Sequence, residues 1–321
     1  MQHKSPISRF MMLVGHLWDG RIRNTGSRYR FGKIQPSSTC EISAVDHCNN
    51  SCLDCNQAAP CLAPAWADPR QVYQDLSTLA GIYRADCVKI VGGEPLLHPD
   101  LISLVRAARR SGVAERLMLL TNGRNLGDVP EDILKSFDII EISVYPDSPS
   151  DGEVFSRVRA VCDAGKVELR RKHYEHFRAA FALKGTADDS LVASIYRTCK
   201  IAHQWDCHAA HAGYFYKCPE AVAMAKAPFS QRTAMGEDGI RIHPGSSLKK
   251  ELVRYLEGDR PLKACRYCLG VIGVSRLHRM VPAREWLSLH DVATEELIDY
   301  DKLRCAEAGV DFDNDNGRIV S

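Results

Sequence analysis

From Thr39 to about residue 180, short apolar or alternating stretches take turns with stretches of helical period, and few folds are open to a chain patterned this way. TCEISAVDHC (39–48), DCVKIVGG (86–93), ERLMLLTNG (115–123), DIIEISVYPD (138–147) and KVELRRKHYEHF (166–177) read as strands. Between them, DPRQVYQDLSTLAGIYR (68–84), HPDLISLVRAARRSG (98–112) and DGEVFSRVRAVCDAG (151–165) read as helices. The first opens on Asp-Pro and the second closes on glycine. Strands joined through helices pair in parallel, so residues 38–185 are expected to form an α/β barrel of parallel β/α units. Cysteine, Gly-Gly-Glu, Asn-Gly and Tyr-Pro-Asp gather at the strand ends, the rim where such barrels carry active sites.

The rhythm stops near Gly185. Residues 190–275 hold short segments and five cysteines and are expected to form a second, smaller domain. GYFYKCP (213–219) reads as the second arm of a hairpin that turns at Gly213. Residues 1–37 are a basic and aromatic N-terminal extension, and 276–321 a C-terminal tail, partly helical around TEELIDYDKLRCAEAG. The formal net charge of +2 carries no nucleic-acid footprint. The longest apolar run, MMLVGHLW (11–18), is too short to span a bilayer. No leader pattern opens the chain, so the cytoplasm is the expected location, with no membrane and no nucleic acid among the partners.

In that compartment thirteen cysteines point to metal or redox chemistry rather than disulfides. Cys48, Cys52 and Cys55 fall at C-x3-C-x2-C with no fourth cysteine spaced to close the set. A zinc site wants four ligands, which a distant residue such as His47 would have to complete. An iron–sulfur cube also takes four, and three protein thiolates leave one iron open to another molecule.

This loop after the first strand, with Gly92-Gly93-Glu94-Pro95 after the second, resembles the radical S-adenosylmethionine (radical SAM) superfamily. The resemblance implies a partial parallel (β/α) TIM-like barrel of five or six strands. It also implies a [4Fe–4S] cluster held by Cys48, Cys52 and Cys55, with the open iron chelated by S-adenosylmethionine. Gly92, Gly93 and Glu94 would hold the methionine ammonium, since glycine allows close backbone approach and a carboxylate accepts from a cation. Asn122, Ser143 and Tyr145 would contact ribose or carboxylate. A flavodoxin- or ferredoxin-type reductant would supply the electron that releases a 5'-deoxyadenosyl radical. Where the family usually has an aromatic residue before the third cysteine, this chain has Asp54.

The second cysteine set resembles the SPASM/twitch type of auxiliary domain, in which a β-hairpin helps to bind an auxiliary [4Fe–4S] cluster. Its ligands here would be Cys199, Cys218, Cys265 and Cys268, with Cys207 as the alternative to Cys199. A zinc ribbon of the same four residues is the competing reading. Cys61 and Cys207 are candidate hydrogen-atom donors, and His208 and His211 candidate bases. On the fifth strand Arg170, Lys172 and Tyr174 share one face, and Arg171 and His173 the other. The whole resembles aminoglycoside-pathway dehydrogenases and epimerases. That implies a polar small-molecule substrate (sugar, aminocyclitol or nucleotide-like) and oxidation of an alcohol. Epimerisation, ribosomal-peptide maturation and a zinc-binding interaction protein are the alternatives.

Overall fold

The structure is a computed structural model that describes residues 20–146, 148, 152–226, 228–312 and 318–320. The 11–18 apolar run, most of the N-terminal extension and Asp147 lie outside the described residues.

The alternating segments become β1 (Thr39–Val45), α1 (Pro69–Ala80), β2 (Ala85–Gly92), α2 (Leu101–Ser111), β3 (Ala114–Thr121), β4 (Ile139–Val144), α3 (Gly152–Gly165) and β5 (Glu168–His173). Local chemistry sets their ends. The Asp68 carboxylate caps α1 by accepting from the Arg70 amide at 2.9 Å, ahead of proline at the first helical position. Gly112 closes α2 at φ +69°, a left-handed conformation that glycine adopts without penalty. Strands β1 to β5 pair in parallel, in order.

Alternate residues face two environments. Ile42, Val88, Ile90, Leu117, Leu119 and Ile140 face outward and pack against Leu76, Leu79, Leu104, Val105 and Val158 of the helices. Each large aliphatic side chain buried there contributes about 1.5–3 kcal/mol. The other face lines the barrel interior. Parallel register stacks it in layers: Glu41, Lys89, Met118 and Ile139 at the floor, and Glu141 beside Arg170 above them. Ser143 and Lys172 come next, towards the rim.

The segment read as a separate smaller domain joins this sheet. It supplies β6 (His208–His211), β7 (Tyr214–Tyr216) and β8 (Gly239–Arg241). Strand β6 pairs in parallel with β1, His208 opposite Cys40 and Ala209 opposite Glu41. β6 and β7 form the hairpin expected at Gly213, with Ala212 at φ +49° and Gly213 at +85°. A two-residue loop with both φ positive matches the strand twist. With β9 (Arg318–Val320) antiparallel to β5, nine strands join in one sheet among the described residues, six of them in parallel pairing. Among the described residues, no helix is long and apolar enough to cross a membrane.

Candidate active site

The cysteine loop leaves the C-terminal end of β1 and lies against the turn that ends β2. The Gly93 amide donates to the Val45 carbonyl at 2.7 Å, and the Glu94 amide to the His47 carbonyl at 3.0 Å. A Cβ on Gly93 would meet the His47 carbonyl oxygen at 1.9 Å, so only glycine permits this backbone-to-backbone contact. Gly92, at φ +137°, is in a region that side chains avoid.

Glu94 is fully buried. Its carboxylate accepts from the Leu96 amide at 3.0 Å, the Thr121 hydroxyl at 2.7 Å and the Asn122 amide at 2.8 Å. A carboxylate has about four lone-pair directions, so roughly one is left for an incoming ammonium. The expected ligand role is thereby narrowed: Glu94 first ties the end of β2 to the end of β3. Asn122 is redirected in the same way. Its side-chain amide donates to Asn49 Oδ1 at 2.7 Å and stands 3.5 Å from Cys48 Sγ, so it holds the cysteine loop. Arg124 bonds Asn50, and Asn125 bonds Asn49 at 2.7 Å. The four-residue turn after β3, residues 122–125, thus clamps the loop, where the sequence showed only an Asn-Gly strand end.

The loop is clamped on its other side by residues called a tail from sequence. The Leu53 amide donates to the Arg279 carbonyl at 2.9 Å, and the Val281 amide to the Ser51 carbonyl at 2.8 Å. Asp54, where an aromatic was expected, is buried, 3.1 Å from His290 Nε2 and 3.4 Å from Arg276 Nη1. His290 ends helix α4 (Ala283–His290) and stacks on Trp286, centroids 4.0 Å apart. His278 Nε2 stands 3.2 Å from Cys52 Sγ, and its ring stacks on Tyr145 at 4.5 Å. Tyr145 and the buried Ser143 therefore form the wall beside Cys52. Such strand-like pairings between residues more than 200 positions apart leave no local sequence signal.

Cys48, Cys52 and Cys55 feel one another's charge. Burial pushes the Cys48 thiol up to about 12, with Cys55 and Glu94 adding to it, and burial, Cys55 and Cys48 push up Cys52. Burial also raises Cys55. Three thiols meeting in a partly dry loop are costly to ionise without a metal centre to neutralise them, and the set fits an iron–sulfur cluster on that ground. Cys61 lies beside them: burial and then Cys55 push its thiol up to about 12, and it donates to the Ala283 carbonyl at 3.7 Å.

Cys199, Cys218, Cys265 and Cys268 line one pocket with Ile195, Ile201, Ala202 and Leu262. All four thiols are raised by burial, and Cys218 also feels the other three. Gly270, at φ +53°, lets the chain pass Cys199, since a Cβ there would sit 3.3 Å from its sulfur. Four convergent thiols with an apolar lining can hold a cluster with no open corner. Among the described residues no three His, Cys, Asp or Glu side chains are placed to hold a single metal ion. Glu220 lines the same pocket, and burial pushes its carboxyl up to about 7.

Cys207 is not in that pocket. It belongs to the interior side, where burial and then Glu41 push its thiol up to about 12. His208, expected as a base, is turned away. It shares the outer face with Cys40, is fully buried, and meets the Tyr83 hydroxyl through Nδ1 at 3.1 Å. Side chains alternate along a strand, so His211, three positions on, takes the inner face with Ala209. It lies near the 2.5 Å Lys226–Asp46 ion pair, and burial followed by Lys226 holds its pKa down to about 4. His47 packs edge-on against Trp66, centroids 5.4 Å apart.

The barrel interior is charged. Lys89 pairs with Glu41 at 3.0 Å, and Arg170 stands 4.0 Å from Glu141. Lys172 lies over Tyr174 at 5.4 Å, while Arg171 covers Phe155 of α3 on the outer face, as the alternation requires.

Residues 42–184 match the model of the radical SAM superfamily. A GTP 3',8-cyclase of Rhodopirellula baltica is 27% identical over 185 residues, 52% of this chain and 48% of that protein. A probable GTP 3',8-cyclase of Pyrococcus abyssi is 28% identical over 116 residues, 36% of each. The chain thus spans about half or less of the length of the curated relatives it matches. Among solved structures, BtrN in complex with AdoMet and 2-DOIA is similar with a TM-score of 0.43 and 17% identity, over 72% of this chain and 92% of that one. The family uses a [4Fe–4S] cluster and S-adenosylmethionine. Residues 42–184, with the Cys48–Cys52–Cys55 loop laid against the Gly92–Gly93 turn, are a radical SAM domain.

Proposed function

We propose that this enzyme takes a hydrogen atom from a polar small molecule held in the barrel interior and oxidises it, an alcohol becoming a carbonyl. The observation that carries the reading is the charged interior formed by Glu41, Lys89, Glu141, Arg170 and Lys172. Glu41 at its floor is within electrostatic reach of Glu220 in the four-cysteine pocket. When bound, a [4Fe–4S] cluster and S-adenosylmethionine would supply a 5'-deoxyadenosyl radical for hydrogen abstraction, and a second cluster would accept an electron. Cys48, Cys52 and Cys55 would hold the first cluster, and Cys199, Cys218, Cys265 and Cys268 the second. The backbone of Gly92 and Gly93, with the remaining lone pair of Glu94, would receive the methionine ammonium.

The chain's own groups do the rest. Lys89, Arg170 and Lys172 orient hydroxyl or anionic groups, and Glu41 and Glu141 accept from hydroxyl or amino groups. His211 is neutral at physiological pH and faces inward, so it can take the hydroxyl proton that leaves when the carbonyl forms. The names of the curated relatives favour a second reading, in which GTP is the substrate. An epimerase reading would use Cys207, the interior thiol, as hydrogen donor.

The test incubates anaerobically purified protein with S-adenosylmethionine, a chemical reductant and deuterated aminocyclitols, sugars or GTP. Deuterium in 5'-deoxyadenosine together with a carbonyl product from an aminocyclitol or sugar is expected. Deuterium transfer from GTP alone would replace the substrate assignment, and an inverted product would replace the reaction. Protein that is colourless and zinc-loaded would end the reading altogether.

A further inference from the structure

We infer that His278 is a positioning residue for the radical cluster: its Nε2–H donates to the Cys52 sulfur and stabilises the reduced cluster. The inference rests on the proposal that Cys48, Cys52 and Cys55 hold that cluster. Four observations place the imidazole there. Nε2 lies 3.2 Å from Cys52 Sγ, within hydrogen-bonding range for sulfur. The ring stacks flat on Tyr145, with 4.5 Å between centroids and 9° between planes, and meets Phe177 edge-on at 5.1 Å. The backbone on either side is fixed: the His278 amide donates to the Glu175 carbonyl at 2.8 Å, and Cys52 bridges Met280. Asp54, bonded to His290 and Arg276, anchors the same segment one residue before Cys55.

A side chain locked by stacking and by backbone pairing on both sides is not a passing neighbour of the thiol. Its donor is aimed at a sulfur whose charge grows when the cluster gains an electron. Hydrogen bonds to cluster sulfurs favour the reduced, more negative state and raise the potential. Residues 276–290 therefore form a strap that sets both where the loop lies and how readily its cluster is reduced.

Gln carries a donor at the reach of imidazole Nε2, whereas the Asn donor stops at the reach of Nδ1. Phe keeps the stack and has no donor. EPR-monitored redox titration of the loaded protein should therefore give H278Q a potential near that of wild type. H278N and H278F should both be more negative, with about tenfold less reduced cluster at a fixed poise, equivalent to about 59 mV for one electron. A purely structural role would move Gln and Asn together and spare Phe. Equal potentials in wild type, H278Q and H278N overturn the inference while leaving the cluster assignment intact, and the Gln–Asn pair decides it even where H278F does not fold. A wild-type protein that binds no cluster at Cys48, Cys52 and Cys55 overturns the underlying assignment instead.

Discussion

The two cysteine sites are built on opposite plans. The first offers three thiols on a loop at the rim, held from outside by Asn122 and Arg124 on one flank and by the 276–290 strap on the other. The second offers four thiols from three separate segments, in a mostly aliphatic pocket that Glu220 also lines. A loop with one ligand too few and a polar surround suits a metal centre that must admit another molecule. A complete set in an apolar pocket suits one that only exchanges electrons, because the low dielectric and full coordination exclude further ligands. In the proposed function, chemistry belongs to the first site and electron transfer to the second.

Cysteine substitutions should break the contrast most severely. C48A, C52A or C55A should reduce S-adenosylmethionine cleavage to background while the second site keeps its iron, so iron falls from about eight to about four per chain, read by iron assay and EPR. C265A or C268A should do the converse. Cleavage of S-adenosylmethionine continues, oxidised product disappears, and abortive 5'-deoxyadenosine accumulates, as chromatography of the reaction would show. C207A should leave the iron content unchanged, which separates it from Cys199.

Next in size is G93A. Its methyl would have to displace the His47 carbonyl, at a cost of about 3 kcal/mol, visible as a lower denaturation midpoint and weaker cluster retention. K172M should follow. Loss of an interior cation is expected to raise KM about tenfold with kcat little changed, because it removes binding common to substrate and transition state.

The last effect is on acid stability. The folded pKa of His208 is lowered to about 4, with burial as the main cause. Between pH 6.5 and 4 the unfolded chain therefore binds the proton that the folded chain refuses. The stability contributed by the neutral imidazole is complete above pH 6.5 and is lost as pH falls towards 4, by about 1.4 kcal/mol per pH unit. H208L should flatten that limb of a urea-midpoint-against-pH curve.

The barrel strands and both cysteine sets were legible because each is written locally, in a period or in a short spacing. The Gly213 turn was legible for the same reason. What stayed hidden were contacts between distant segments. The parallel docking of β6 on β1 decides which histidine faces inward. It turns His208 towards Tyr83 and His211 towards the interior, and no residue near either histidine announces that register. The strap was missed because Arg276, His278 and His290 look like ordinary tail residues until Cys52 and Asp54 are beside them. Glu94 and Asn122 were placed at the correct rim, but their protein partners could not be read from a motif.

In the proposed function one site has an open corner and the other is closed. Mössbauer spectra of the iron-57-loaded, anaerobic protein with and without S-adenosylmethionine test it directly. The cofactor should shift a single iron of the cluster that C48A removes and leave untouched the cluster that C265A removes. A response from the Cys265 cluster, or none from the Cys48 cluster, would contradict it.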